Sequence, residues 1–354
     1  MRRRRIDTLN VKAPDKQKTW RSGKAKRRMV VRESHVPARS ATTTMVTMIP
    51  ILETALGRLY EADCLSVMKS LRNETVDLAF ADPPFNLGKK YGAGINDSRA
   101  ANDYLSWCKS WLDEMTRLLK PGGSLFLWNL PRWNLPLGAH LAQSLTFRNW
   151  IAVDIKYSLP IPKRLYPSHY SLLYFIKGSR PNCFHPDRLP TPCCRHCGGE
   201  QRDYGGYKNK MNPRGVSLSD VWTDIPPVRH PRYKRRAANA LSLKVMDRVL
   251  SLASDPGSLV LDPFGGSGTT YVAAELLGRR WIGAELDCTA IRNRFARIQD
   301  DAEYLRELHK NKNVLFTQAA LARRRRSGTP LSKDYRMQHE LPQRLEEPQL
   351  MLLP

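Results

Sequence analysis

Short apolar runs closed by turn residues alternate along this chain with stretches of helical spacing. Arg58-Leu59-Tyr60-Glu61-Ala62-Asp63-Cys64 reads as a strand and turn, and Leu65 to Leu71 as a helix leading to the apolar strand Val76 to Phe80. Tyr104, Trp107, Cys108, Trp111, Met115 and Leu118 recur at helical spacing, and Pro121-Gly122-Gly123 is the predicted stop. That aromatic stripe is a base-stacking platform or the inner face of a core helix, and its period favours the core. Ser124 to Trp128 and His169 to Ile176 read as strands, Asn239 to Leu252 as an amphipathic helix. Leu259 to Asp262 and Arg280 to Glu285 are strands either side of a helix from Tyr271 to Leu277. Strand, helix, strand in this order predicts parallel βαβ units and an α/β fold.

Two turns interrupt the pattern with unusual chemistry. The first, Ala81-Asp82-Pro83-Pro84-Phe85-Asn86, stops the Val76 run dead. Each proline pushes the residue before it towards extended geometry, so Asp82 and Pro83 are stiff and non-helical. Neither proline has an N–H, so the turn presents a carboxylate and backbone carbonyls but few donors. Such an array suits an amino group with two hydrogens to give; taken alone, it is also an ordinary strand-to-loop turn. The second turn, Pro263-Phe264-Gly265-Gly266-Ser267-Gly268-Thr269-Thr270, joins strand to helix. Its glycines let a ligand approach the backbone beside a helix N-terminus. The next strand ends in Glu285, 19 residues after Gly266, where an acid can take both hydroxyls of a ribose. The turn lacks the lysine of a phosphate-binding loop and the glycine spacing of a dinucleotide fingerprint. A nucleoside without a pyrophosphate is the expected ligand, and S-adenosylmethionine fits.

Charge narrows the partners. The 354 residues carry a net +25 with a pI near 10.0, which points to a polyanion. Residues 1–48 hold 14 Lys/Arg against three acids and too few apolar residues to fold. They read as a phosphate-gripping tail or as an over-called start with translation beginning at Met45 or Met48. The basic N-terminal block is followed by no apolar stretch, and no run reaches transmembrane length, so neither signal peptide nor membrane partner is expected. Residues 151–237 break the α/β rhythm with Pro, Arg, Lys, Tyr and Cys, and read as an inserted recognition region. Lys163, Arg164, Lys208, Arg229, Arg232, Lys234, Arg235 and Arg236 are its candidate phosphate contacts. Four of the seven cysteines crowd between Cys183 and Cys197. Cys194-Arg195-His196-Cys197-Gly198-Gly199 has the gap and trailing glycines of a metal knuckle, with Cys183 and His185 the nearest second pair. A structural zinc on Cys183, His185, Cys194 and Cys197 is one reading, and a cluster of plain cysteines in a reducing compartment the other.

Taken together, Asp-Pro-Pro-Phe upstream and Asp-Pro-Phe-Gly-Gly-Ser-Gly-Thr-Thr downstream resemble the amino-group DNA methyltransferases of permuted β order. In that family the catalytic motif precedes the recognition region and the cofactor motif follows it. The resemblance runs from about Gly57 to Ile298. It implies a class I methyltransferase fold, a Rossmann-like, doubly wound and mostly parallel sheet carrying an inserted basic recognition region. By position, Asp82, Pro83, Pro84 and Phe85 match the catalytic tetrad, which more often ends in Tyr; both rings stack. Asp262, Phe264, Gly266 and Gly268, with Thr269 beside them, match the methionine-side cofactor motif, and Glu285 the ribose acid. Asp63, beside Cys64, resembles the acid that frames the adenine of the cofactor. A leading Asp is usual for N6 of adenine, whereas N4-cytosine enzymes usually have Ser. The implied partner is double-stranded DNA, with a cognate restriction endonuclease as a candidate, in a cytoplasmic, prokaryote-like or phage-encoded monomer or homodimer. The implied organisation is a basic extension (1–48), a catalytic half (50–150), the recognition region (151–237), a cofactor half (238–300) and a tail (301–354). A nicotinamide oxidoreductase, disfavoured by the glycine spacing, an RNA methyltransferase and a non-catalytic nucleic-acid binder are the rival readings.

Overall fold

The computed structural model divides the chain into two units, Met1–Thr44 and Met45–Pro354, and everything described lies in the second. The described residues are 48–88, 97–154, 168–186, 188–189, 216–225, 241–310 and 318–328, with isolated positions between 162 and 210. The elements run β1 (Leu52–Glu53), β2 (Gly57–Glu61), α1 (Cys64–Ser70), β3 (Val76–Ala81), α2 (Ala101–Leu118), β4 (Leu119–Asn129) and α3 (Pro131–Leu141). They continue with β5 (Thr146–Asp154), β6 (His169–Ile176), β7 (Arg188–Leu189), β8 (Val216–Ser217), β9 (Val221–Trp222), α4 (Leu243–Ala253) and β10 (Leu259–Asp262). Last come α5 (Thr269–Leu276), β11 (Arg280–Glu285), α6 (Thr289–Phe295), α7 (Ile298–Lys310) and α8 (Gln318–Arg326).

Nine strands form one sheet in the order β1-β2-β11-β10-β3-β4-β6-β5-β9, and β7 pairs with β8 apart from it. β2, β11, β10, β3 and β4 are parallel; β6 runs antiparallel to its neighbours β4 and β5. Both faces of the central strands are covered, so β3, β10 and the second half of β4 read as apolar runs without polar alternation, as buried parallel strands must. The period of two still sorts them: Leu78 and Phe80 of β3 pack with α4 and α5, Ala79 and Ala81 with α1, α2 and α3. On α2, Tyr104, Cys108, Trp111, Leu112, Met115 and Leu118 make the buried stripe, so the aromatics there belong to the core. Opposite, Tyr271 stacks on Trp281 at 5.0 Å. A Cβ at Gly283 would lie 2.4 Å from the Tyr271 ring, so only glycine lets α5 pack so close to β11.

The decisive feature is the pairing of β3 with β10, in which Val260 faces Leu78 and Leu261 faces Ala79. From β10 the chain crosses through α5 to β11 on one side; from β3 it crosses through α2 to β4 on the other. β3 and β10 therefore flank the topological switch point, and in open α/β sheets ligands bind in the crevice beyond the strand C-termini there. The Asp82 turn and the glycine turn leave these two adjacent strands in the same direction, although some 180 residues separate them.

Some boundaries differ from the sequence reading. α2 ends at Leu118, three residues before Pro121-Gly122-Gly123, because Leu119 is already extended and β4 begins there. β5, β6 and β9 all belong to the main sheet, so residues 151–154, His169–Ile176 and Val221–Trp222 of the predicted region 151–237 are part of the scaffold. α7, assigned to a tail, buries Ala302 and Leu305 in the core beside α4.

Candidate active site

The Asp82 turn is braced from behind. The Tyr104 hydroxyl donates to the Pro84 carbonyl at 2.7 Å, and the Trp133 indole N–H donates to the Phe85 carbonyl at 2.9 Å. Asn129 Nδ2 in turn donates to the Tyr104 oxygen at 3.0 Å, and Asn129 Oδ1 accepts from the Leu130 amide at 2.7 Å. Burial pushes the Tyr104 pKa up, so the phenol stays a donor at neutral pH. Among the described residues, nothing donates to the Pro83 carbonyl. Two of the turn's three successive carbonyls are thus engaged, and half-buried Asp82 precedes them at the strand end. Phe85 is half-buried, 6.0 Å from the Tyr170 ring, which itself lies 5.1 Å from Trp128. Beyond Phe85, Asn86 and Arg99 exchange hydrogen bonds of 3.0 and 2.7 Å, tying together the two ends of the loop before α2.

The glycine turn is held with equal care. Gly266 and Gly268 adopt φ of +55° and +77°, the left-handed region that glycine enters without strain. The Gly266 amide donates to Glu285 Oε2 at 2.5 Å, and the Leu286 amide to Oε1 at 2.9 Å. The acid at the end of β11 therefore reaches the turn and keeps further lone pairs on both oxygens. Asp262 is buried and braces the turn's opening, accepting from the Phe264 amide at 2.9 Å and the Thr270 hydroxyl at 2.5 Å. Burial, with the Asp82 and Glu285 carboxylates nearby, holds its carboxyl well above the usual carboxylate range. Phe264 packs edge-on against Trp107 and Trp111 of α2, at 5.7 and 4.9 Å, which locks the two halves of the crevice together. Thr269 is buried, and its hydroxyl donates to the Leu241 carbonyl at 3.2 Å.

Asp63 has a local task. Its Oδ1 caps α1, accepting from the Leu65 and Ser66 amides at 3.0 and 3.3 Å. Cys64 follows it into the core, and burial pushes its thiol up to about 12, which makes it an apolar contact and not a nucleophile. With Gly266, Gly268 and Glu285 at adjacent strand ends, and Glu61 in register with Glu285, the crevice has acids where a pyrophosphate site would have cations. That charge fits a nucleoside bearing a positive sulfonium and disfavours a dinucleotide.

Four supporting residues escaped the sequence reading: Tyr104, Asn129 and Trp133 behind the first turn, and Arg294 behind the second. Arg294 is buried, pairs with Asp301 at 2.8 and 3.0 Å, and donates to the Ser267 carbonyl at 3.2 Å and Thr269 Oγ1 at 2.6 Å. Tyr104 and Arg294 sit on helices, and only the fold says which turn they reach. Of the predicted phosphate contacts, Lys163 is exposed; Arg164, Lys208, Arg229, Arg232, Lys234, Arg235 and Arg236 lie outside the described residues. Of the predicted zinc ligands, Cys194 and Cys197 also lie outside them, while Cys183 and His185 meet at Asp255, which the sequence reading did not include.

Comparison with known proteins agrees with this geometry. A family model described as DNA methylase matches residues 76–296, a span that takes in both turns. Type II methyltransferase M.BamHI of Bacillus amyloliquefaciens is 50% identical over 82% of this chain and 69% of its own length. DNA adenine methyltransferase YhdJ of Escherichia coli is 29% identical over 70% of this chain and 85% of its own. Among solved structures, the cytosine-N4-specific PvuII DNA methyltransferase aligns with a TM-score of 0.51 at 19% identity, covering 73% of this chain and 95% of that one. The extent of the family match and the identity to M.BamHI show that this chain belongs to the DNA methylase family and is a DNA methyltransferase.

Proposed function

We propose that the chain transfers a methyl group from S-adenosylmethionine to the exocyclic amino group of a DNA base flipped from the duplex, with N6 of adenine the acceptor. The observation that carries the reading is the pairing of β3 with β10, which sets a carboxylate-and-carbonyl turn beside a nucleoside-type glycine turn. Bound between Gly266, Gly268 and Glu285, the cofactor would supply an electrophilic methyl group. The base amino group is a weak nucleophile because its lone pair is delocalised into the ring. Asp82 and the Pro83 carbonyl would each accept one amino hydrogen, drawing the nitrogen towards tetrahedral geometry with its lone pair aimed across the crevice. Positive charge that grows on nitrogen during attack would be stabilised by the Asp82 carboxylate; one amino proton is then lost to solvent, and S-adenosylhomocysteine is the leaving product. Phe85 would stack on the flipped base, offsetting about 1–3 kcal/mol of the unstacking cost. No covalent intermediate with the enzyme is required, and holding both reactants in line supplies much of the remaining acceleration.

Adenine rests on the leading Asp82 and on the name of the YhdJ relative. The family spans N6 and N4 acceptors, and the same two hydrogen-bond acceptors would serve cytosine N4. Transfer of labelled methyl to unmethylated DNA, followed by digestion to nucleosides and mass spectrometry, decides the matter. N6-methyladenine is the expected product. N4-methylcytosine would change the base and keep the chemistry, and a ring-carbon mark or none would contradict the reading.

The basic residues of the recognition region would grip phosphates, so DNA affinity should fall steeply as salt rises. Neutralising Arg232, Lys234, Arg235 and Arg236 together should weaken cognate and random duplexes about equally in a binding titration. A changed methylated sequence would instead mean that these side chains read bases. We further propose a cognate restriction endonuclease as a candidate natural partner, the bacterial cytoplasm as the compartment, and a monomer or homodimer as the working form. Among the described residues, no helix is long and apolar enough to cross a membrane.

A further inference from the structure

Away from the crevice, one cluster has the chemistry of a ligand set. Cys183 and His185 lie on the segment that leaves β6, and Asp255 opens the turn between α4 and β10. Cys183 Sγ and His185 Nε2 each approach a different oxygen of Asp255 at 2.8 Å, and one donor atom from each residue lies within 4.8 Å of the others. A tetrahedral ion with bonds of about 2.0–2.3 Å holds its ligands roughly 3.3–3.7 Å apart, so small side-chain rotations would suffice. Both backbones are already fixed. The His185 amide donates to the Leu252 carbonyl at 2.8 Å, the Asn182 amide to Gly122 at 2.9 Å, and the Asp255 amide to Ser258 Oγ at 3.1 Å.

We propose that Cys183, His185 and Asp255 bind a zinc ion, leaving a fourth position for water or a further donor. Thiolate, imidazole and carboxylate in one set suit zinc over calcium or magnesium, which want oxygen alone. On binding, the Cys183 proton leaves to solvent; thiolate and carboxylate then balance the two positive charges, with imidazole neutral. Among the described residues, the other charged groups facing the cluster are Arg279, whose guanidinium is tied to the Ser254 carbonyl at 2.8 Å and hydroxyl at 3.2 Å, and Asp77. Cys183 and Asp255 stand 72 residues apart, bracketing the departure from β6, the recognition region and the return through α4. A metal there would root the region at both ends on the scaffold, where closing so long a loop stabilises most.

The competing account is a plain hydrogen-bonded turn in which one carboxylate accepts from a thiol and an imidazole. Full-length protein purified without a histidine tag separates the two. We expect about one zinc per chain by elemental analysis, and on cobalt replacement a thiolate-to-cobalt charge-transfer band that Cys183→Ser removes. Asp255→Asn and His185→Ala should each weaken zinc binding by at least about tenfold. Circular dichroism checks that the variants are folded, and the cobalt spectrum of the parent protein needs no variant at all. Metal-free protein that takes up neither ion overturns the proposal. So does metal retained in Cys183→Ser and Asp255→Asn but lost in Cys194→Ser or Cys197→Ser.

Discussion

Asp82→Ala should bind S-adenosylhomocysteine within a few-fold of the parent protein and transfer almost no methyl groups. The carboxylate follows the C-terminus of β3, where the base is proposed to enter, while the proposed cofactor contacts come from the turn after β10 and the end of β11. Its loss removes one of two acceptors for the amino hydrogens and the only side-chain charge proposed to meet the developing cation. Removing one preorganised electrostatic partner of this kind costs about 10²–10³ in turnover, and losing orientation as well deepens the effect. Asp82→Asn should fall between the two, since its amide oxygen still accepts but carries no charge. The bracing by Tyr104 and Trp133 acts on the Pro84 and Phe85 carbonyls, so the turn should keep its shape in both variants. Single-turnover transfer alongside calorimetry checks the split. Near-normal transfer in Asp82→Ala would place the chemistry elsewhere.

Glu285→Ala should reverse that split, weakening cofactor affinity first. The carboxylate would lose two ribose hydroxyls, worth on the order of 1.5–3 kcal/mol for charge-assisted bonds, or roughly 10- to 150-fold in Kd. It also holds the Gly266 amide at 2.5 Å, so alanine frees the turn that is meant to cradle the ligand. Glu285→Gln keeps one acceptor oxygen and should lose less. Calorimetry with S-adenosylhomocysteine measures both, and an unchanged Kd for Glu285→Ala would remove the residue from the cofactor site.

Both turns were legible in the sequence because each ends an unbroken apolar run with residues that cannot continue it. Two prolines stop β3, and a run of glycines opens α5 at left-handed φ. β5 was not legible: Thr146-Phe147-Arg148-Asn149 is exposed, and a register shift between Phe147 and Asn149 spoils the alternation. α7 looked like a tail because its acids and bases outnumber the few positions, Ala302 and Leu305 among them, that reach the core. Asp63 carried two signals at once, since an acid before Cys64 resembles an adenine-framing residue and is also a good helix cap. The brace through Tyr104, Asn129 and Trp133 depends on three elements meeting behind one turn, which no local pattern encodes. Asp255 likewise meets Cys183 only through the fold, 72 residues along the chain.

The central claim is that the Asp82 turn and the glycine turn form one site that methylates a base amino group in DNA. Single-molecule sequencing of genomic DNA from cells expressing either the parent chain or Asp82→Ala tests it most directly. The account predicts an amino-methylated base in a single sequence context with the parent and no such mark with Asp82→Ala. No modified context in the parent, or the same mark in both, would contradict it.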